Sequence, residues 1–303
     1  MPVVNAAEHV STQIRDGIAV TMESGYVANA KIRNRRKKMT NKEYQEHPGI
    51  SRSSLFLIGK SPLHYKYAQE HPTESSPALE FGSAAHKFIL ENDSFNGEYA
   101  IAPIVDRRTK EGKARYAEFV ENAAGKSVIS QDDLNTIIDM RTAIIDSKIA
   151  SRFLYAEGAK YEQSFFWTDA LTGEAVKCRP DCMCEVDGKK YIVDYKTTDS
   201  CEDGHFERSC RKYGYKLQAG MYREGVFQNT LDDYGFIFVA QEKKAPYAVR
   251  VYICNEDFIS EGYDQYRELL GIYHECKQSG IWYGYEGPTG DYTDLTGEGD
   301  RDA

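Results

Sequence analysis

The chain has 303 residues, 41% of them hydrophobic and 28% charged, with a formal net charge of −9. This is the composition of an ordinary globular protein, and the length suits one generous domain better than two large ones. The apolar runs are too short to span a bilayer, and the acidic balance argues against a general polyanion-binding surface while leaving room for a local basic channel.

Residues 1–39 read as a flexible basic leader, because their apolar positions lack sustained periodicity and residues 31–38 hold six basic side chains in eight. The next 248 or so residues, about 40–287, carry the periodic pattern of one folded domain. A helical stretch runs over 51–69, with Leu55, Ile58 and Leu63 inward and Pro62 as a break. Helices are expected at about 78–91, 110–124 and 131–148, giving a helical N-terminal half, with a charged and mobile loop at 107–113. Alternating aromatic and β-branched residues then predict strands at 161–168, 175–186 and 189–197. One long helix over 203–227, strands near 234–241 and 248–254, and an amphipathic helix over 256–279 complete the pattern. The implied fold class is α/β (α+β), a central mixed β-sheet flanked by helices. Residues 288–303 form an acidic tail, expected to be disordered.

The start of the chain lacks the basic and apolar segments of a secretory signal. Seven cysteines, an odd number without framework spacing, fit a reducing cytoplasm. Cys178, Cys182 and Cys184 share one strand face and read as core packing, since the spacings of iron–sulfur ligands are absent.

The chemistry concentrates around a hairpin. Asp187-Gly188 between alternating strands is a two-residue turn signal, and such a turn sets the register. With Val186 facing Lys189, Asp181 falls opposite Asp194 and Arg179 opposite Lys196. Side chains alternate along a strand, so Asp181, Asp194 and Lys196 share one face. Opposed like charges are destabilising and call for a proton, a cation or a basic neighbour. Either the acids are solvated and paired with Lys196 or Arg179, or they hold a hard divalent cation such as Mg²⁺. The apolar Ile192 and Val193 beside Asp194 favour the second reading.

Arg-Pro-Asp at 179–181, followed by Asp-Tyr-Lys at 194–196, resembles the PD-(D/E)xK nuclease signature, with Asp194 where Glu is commoner. The resemblance implies that the two acids bind metal and that Lys196 orients or activates water. Gln218 and Tyr222 lie on one helical face, as in the Gln-x-x-x-Tyr motif of RecB-type nucleases, and His86 matches the histidine those enzymes carry ahead of the acidic motif. Read alone, Gln218 is a solvated helix residue, Tyr222 a packing residue and His86 a core histidine.

The segments Gly49–Leu55, Ser61–Tyr65, Gly82–His86 and Gly280–Tyr285 are similar to the RecE (exonuclease VIII) nuclease domain, over about residues 40–286. That resemblance implies an Mg²⁺-dependent exonuclease, with Mn²⁺ as an acceptable substitute. It would act on double-stranded DNA ends, removing the 5′-ended strand and leaving a 3′ tail for recombination or repair. It further implies a tetrameric ring and a RecT-like single-strand annealing partner; the short apolar runs leave no membrane among the expected partners. Glu162 is a candidate further acid, with a solvated strand residue as its alternative. Arg52, Ser53, Ser54 and Arg179 are candidate DNA contacts, although Ser51 or Ser53 equally suits a helix cap. The alternatives are an endonuclease of restriction or repair type, or a DNA-binding homologue without catalysis.

Overall fold

The computed structural model describes residues 39–72 and 76–290, together with the backbone of two short paired strands, β1 (Ile14–Arg15) and β2 (Ile18–Ala19). The run of basic residues at 31–38 and the acidic residues beyond 290 lie outside the described residues.

Capping chemistry sets the first helices. Thr40 and Glu43 form a capping box at α1 (Asn41–Glu46). Ser51 caps α2 (Arg52–Lys60), so the cap is Ser51 and not Ser53. Ser61 caps α3 (Pro62–Glu70), and Pro62 occupies its first turn, where a missing N–H costs nothing. The expected break at Pro62 thus divides the 51–69 stretch into two helices that share Ser61. α4 (Pro77–Leu90) follows, then α5 (Asn92–Glu98), α6 (Lys110–Asn122), α7 (Gln131–Asp146) and α8 (Ala150–Leu154).

The N-terminal half is not purely helical. β3 (Tyr99–Ile101) and β4 (Ser127–Ile129) pair in parallel. Nor are residues 107–113 simply a loop: Thr109 accepts from the Gly112 N–H and starts α6.

A five-stranded mixed sheet forms the centre, in the order β11-β10-β9-β8-β5. Its strands are β5 (Lys160–Tyr161), β8 (Cys182–Val186), β9 (Lys189–Thr198), β10 (Gly235–Glu242) and β11 (Val249–Ile253). β9 and β10 run parallel and the other pairs antiparallel. Asp187 and Gly188 both adopt positive φ, 52° and 73°, and the β8–β9 pairs from Val186↔Lys189 to Cys182↔Val193 keep the register that turn implies.

The pairing stops there. β7 (Ala175–Cys178) pairs with β6 (Phe165–Thr168) in a separate ribbon, and the chain bends through Arg179-Pro180 before β8 begins. Arg179 thus does not face Lys196 across a ladder. The bend opens the sheet beside Asp181.

One sheet face, with Cys182, Cys184, Val193, Tyr195, Ile237 and Val239, packs on Ala84, Ala85 and Ile89 of α4 and on Ile137, Met140 and Ile144 of α7. The other, with Met183, Ile192, Phe236, Phe238 and Ala240, packs on α9 (Asp203–Tyr213) and α10 (Tyr215–Thr230). Burying each such large apolar side chain stabilises by about 1.5–3 kcal/mol before entropy is counted. Gly214, in the left-handed region at φ 64°, divides what the sequence suggests is one helix.

α11 (Glu256–Ser279) lies across α10 at a glycine crossing. A Cβ on Gly220 would sit 2.1 Å from the Tyr263 nitrogen, and one on Gly262 would sit 1.9 Å from the Lys216 carbonyl oxygen. The two backbones therefore touch, which fixes how deeply α10 sits on the sheet. After α11 the chain folds back: Trp282 packs on Tyr65, and the Leu63 N–H donates to the Tyr283 carbonyl at 2.9 Å. The cysteines are free, and Cys178, Cys182 and Cys184 are buried. Among the described residues no helix is long and apolar enough to cross a membrane.

Candidate active site

Asp194 lies in the middle of β9, on the face toward α10, and is completely buried. A buried carboxylate needs compensation, and two side chains supply it. Gln218 of α10 donates its amide to Asp194 Oδ2, and the Lys196 ammonium lies against Oδ1. The ammonium also sits 5.0 Å from the centre of the Tyr215 ring, a cation–π contact that holds it over the acid.

Asp181 occupies the bend ahead of β8. Its Oδ2 accepts the backbone N–H of Tyr195 at 2.8 Å, and His86 Nδ1 of α4 is 3.6 Å from the same oxygen. Burial, then the neighbouring Asp194 carboxylate, push the Asp181 carboxyl up to about 6, against the opposing pull of His86, Lys196 and the Tyr195 N–H. The His86 ring contacts the Tyr195 ring edge-on at 5.0 Å, which orients the imidazole.

Glu162 completes the group. It stands one residue beyond β5 with φ 54°, and its N–H donates to the Asp181 carbonyl at 3.0 Å. The left-handed kink turns it out of the strand it would otherwise continue. Ligand atoms of His86, Glu162 and Asp181 lie within 4.8 Å of one another.

These donors suit a hard divalent cation: two carboxylates and an imidazole converge, with a third carboxylate beside them. One buried oxygen, Gln218 Oε1, accepts no hydrogen bond among the described residues, while Asp194 Oδ1 is met by the Lys196 ammonium. An orphaned oxygen in an otherwise satisfied interior fits a water beside a cation.

The structure brings together His86 of α4, Asp194 and Lys196 of β9, Gln218 of α10 and Asp181 of the bend ahead of β8. Tyr222 joins them one turn beyond Gln218. Burial, then Tyr44, Asp194, Cys178 and Asp181, raise its phenol far above the ordinary range, so it remains a neutral donor. Glu162 belongs with this group, a placement its strand-like sequence context left open.

The candidate DNA contacts sit differently. Arg179 is buried: its guanidinium donates to Ser164 Oγ at 2.9 Å and to the Met39 and Thr40 carbonyls, and it covers the Tyr44 ring. With Lys177, which donates to the Tyr44, Gln45 and His47 carbonyls, it straps α1 to β7. Arg52 donates to the Tyr213 carbonyl. Ser54 is partly buried beside Ser51, and Ser53 is exposed. Sequence reasoning missed the parts played by the Tyr195 N–H and the Tyr215 ring. Their signals were the middle position of Asp-Tyr-Lys and an aromatic residue just ahead of Gln218.

A central mixed sheet, an acid at a strand bend and an Asp-x-Lys on the adjoining strand define a PD-(D/E)xK nuclease-like fold. Residues 51–290 match the PDDEXK-like domain of unknown function (DUF3799), and the chain belongs to that family. No curated protein matches the sequence. Among solved structures, a candidate exonuclease from Eubacterium rectale superimposes with a TM-score of 0.53 at 15% identity, over 79% of this chain and 88% of that one. At that identity the likeness concerns the fold. SSO0001 aligns over 77% of this chain and 93% of its own at 12% identity, and its TM-score of 0.28 carries no argument.

Proposed function

We propose that this chain is a divalent-metal-dependent DNA nuclease, acting as an exonuclease of the RecE type. The observation that carries the reading is the convergence of His86, Glu162 and Asp181 on one point, with Asp194 and Lys196 beside it. His86, Glu162 and Asp181 would hold Mg²⁺ or Mn²⁺, with Asp194 beside them as the further acid. A cation held there supplies Lewis-acid polarisation of the scissile phosphate and lowers the pKa of a bound water.

The protein's own groups set the geometry. Lys196, fixed between Asp194 and the Tyr215 ring, would present a positive charge to the attacking water and to the phosphoryl oxygens as they gain charge. Gln218 keeps Asp194 oriented, and its unused Oε1 accepts from a water. Tyr222, kept neutral by burial near Asp194 and Asp181, would serve as a donor to the same site. None of these groups needs to read a base edge, so the expected cleavage has little sequence preference.

Digestion from the 5′ end to leave a 3′ tail rests on the resemblance to RecE, as do a RecT-like annealing partner and a tetrameric ring. The net charge of −9 is consistent with a ring, which gathers basic residues along a central passage. The test is linear duplex DNA labelled at one 5′ end, incubated with Mg²⁺. Early release of short labelled products supports the exonuclease reading. Internal cuts in covalently closed circular DNA would replace it with an endonuclease, and no cleavage with any divalent metal would leave only a binding role.

A further inference from the structure

Beyond the cation site, the rings that begin under Lys196 continue to the surface. Tyr215, buried and 5.0 Å below the Lys196 ammonium, stacks against Tyr213 with centroids 6.0 Å apart and planes 28° apart. Tyr213 is 45% exposed at the end of α9. The two rings flank Gly214, whose left-handed conformation ends α9 and starts α10.

That corner is built rather than loose. A Cβ on Gly214 would lie 2.7 Å from the Phe56 ring, so α2 packs directly beneath it. Arg52 of α2 donates to the Tyr213 carbonyl and covers Phe56 at 5.3 Å. Exposed Arg208, Arg211 and Lys212 precede Tyr213, and the Lys212 ammonium is 5.2 Å from its ring. Lys196 and Arg211 both act electrostatically on Cys210, which places the end of α9 in the same field as the catalytic lysine.

An exposed aromatic ring among basic side chains, next to a group that handles phosphate, is how single-stranded nucleic acid is held without sequence preference. Every base has a π-face, and the basic groups take the backbone.

We propose that Tyr213 is a stacking platform for an unpaired nucleobase of the strand whose scissile phosphate lies against Lys196. The proposal rests on the nuclease reading and adds the form of the substrate: a nucleotide freed from its complement before or during cleavage. Arg211 and Lys212 hold the neighbouring phosphates.

The experiment uses the full chain carrying Asp194→Asn, so that DNA stays intact, and a duplex with 2-aminopurine at the terminal positions of the 5′-ended strand. Leaving the duplex brightens the probe, and stacking on the Tyr213 ring quenches it again. Tyr213→Ala in that background is expected to abolish the added quenching and weaken DNA binding about tenfold, while Tyr213→Trp retains both. In the otherwise native chain, Tyr213→Ala is expected to raise KM for DNA more than it lowers kcat. Melting curves that match the parent show that the fold is kept, as expected for an exposed side chain. Unchanged quenching and unchanged KM in Tyr213→Ala overturn the platform while leaving the nuclease intact. A parent chain that neither binds nor cuts DNA overturns both.

Discussion

The Tyr195 backbone N–H donates to the Asp181 carboxylate, tying the acid at the strand bend to the strand that carries Asp194 and Lys196. The ladder between β8 and β9 has ended one residue earlier, at Cys182↔Val193. Asp181 thus takes the N–H with its side chain and stays near Asp194 after the backbones part at Pro180. Two carboxylates are held close in a largely buried site, so ionising one raises the cost of ionising the other.

The first prediction concerns these charges. Asp181→Asn, Asp194→Asn and Lys196→Ala should each reduce DNA cleavage by at least about 100-fold, the scale of removing one preorganised charge. The two Asn variants should also lose Mg²⁺ affinity in calorimetry, whereas Lys196→Ala should keep it. Cleavage at the parental rate by any of the three would remove that residue from the site.

The second concerns pH. The folded Asp181 carboxyl titrates near 6 against an ordinary 3.8, so between those values the folded chain holds a proton that the unfolded chain has released. Its contribution to stability is therefore full below pH 3.8 and is lost as pH rises through 6, a change of order 3 kcal/mol without metal. Mg²⁺ requires the ionised form, so the stabilisation it brings should grow as pH rises through about 6. Melting temperatures with and without Mg²⁺ at pH 5 and pH 8 measure this. An equal increment at both would show that Asp181 does not bind the ion.

The third separates ligand from packing at His86. His86→Ala should raise the Mg²⁺ concentration needed for half-maximal cleavage by at least about tenfold, with DNA affinity little changed. An unaltered metal titration accompanied by a lower melting temperature would return His86 to the core, beside Tyr195.

What the sequence made legible follows from the range of the forces involved. The Asp187-Gly188 turn is local, and it placed Asp181 near Asp194 without knowledge of the rest of the fold. Pro180 interrupts the ladder, and continuing the register past it put Arg179 opposite Lys196 when the chain had already left for β7. α1 has six residues, too few to show a period; Lys177 and Arg179 hold it from more than a hundred residues away. The alternation around Glu162 suggested a strand, and only the packing that turns it to φ 54° brings it to Asp181 and His86.

A fourth prediction tests how α10 is seated. Gly220 and Gly262 let α10 and α11 touch through their backbones, and α10 brings Gln218 to Asp194. An added methyl group at Gly220 would meet Tyr263 backbone at 2.1 Å, with no flexible side chain to yield, so the helices must separate. Gly220→Ala should cost about 1–3 kcal/mol, the usual range for overpacking, even though alanine is the better helix former. If α10 shifts as a unit, Gln218 moves away from Asp194 and cleavage falls further than the lost stability explains at a temperature where the chain remains folded. Gly271, on α11 but with no atom within 4 Å of a Cβ built there, is the control: Gly271→Ala should be neutral or slightly stabilising. Equal melting temperatures and equal rates for the two variants would show that the glycine crossing does not set the position of Gln218.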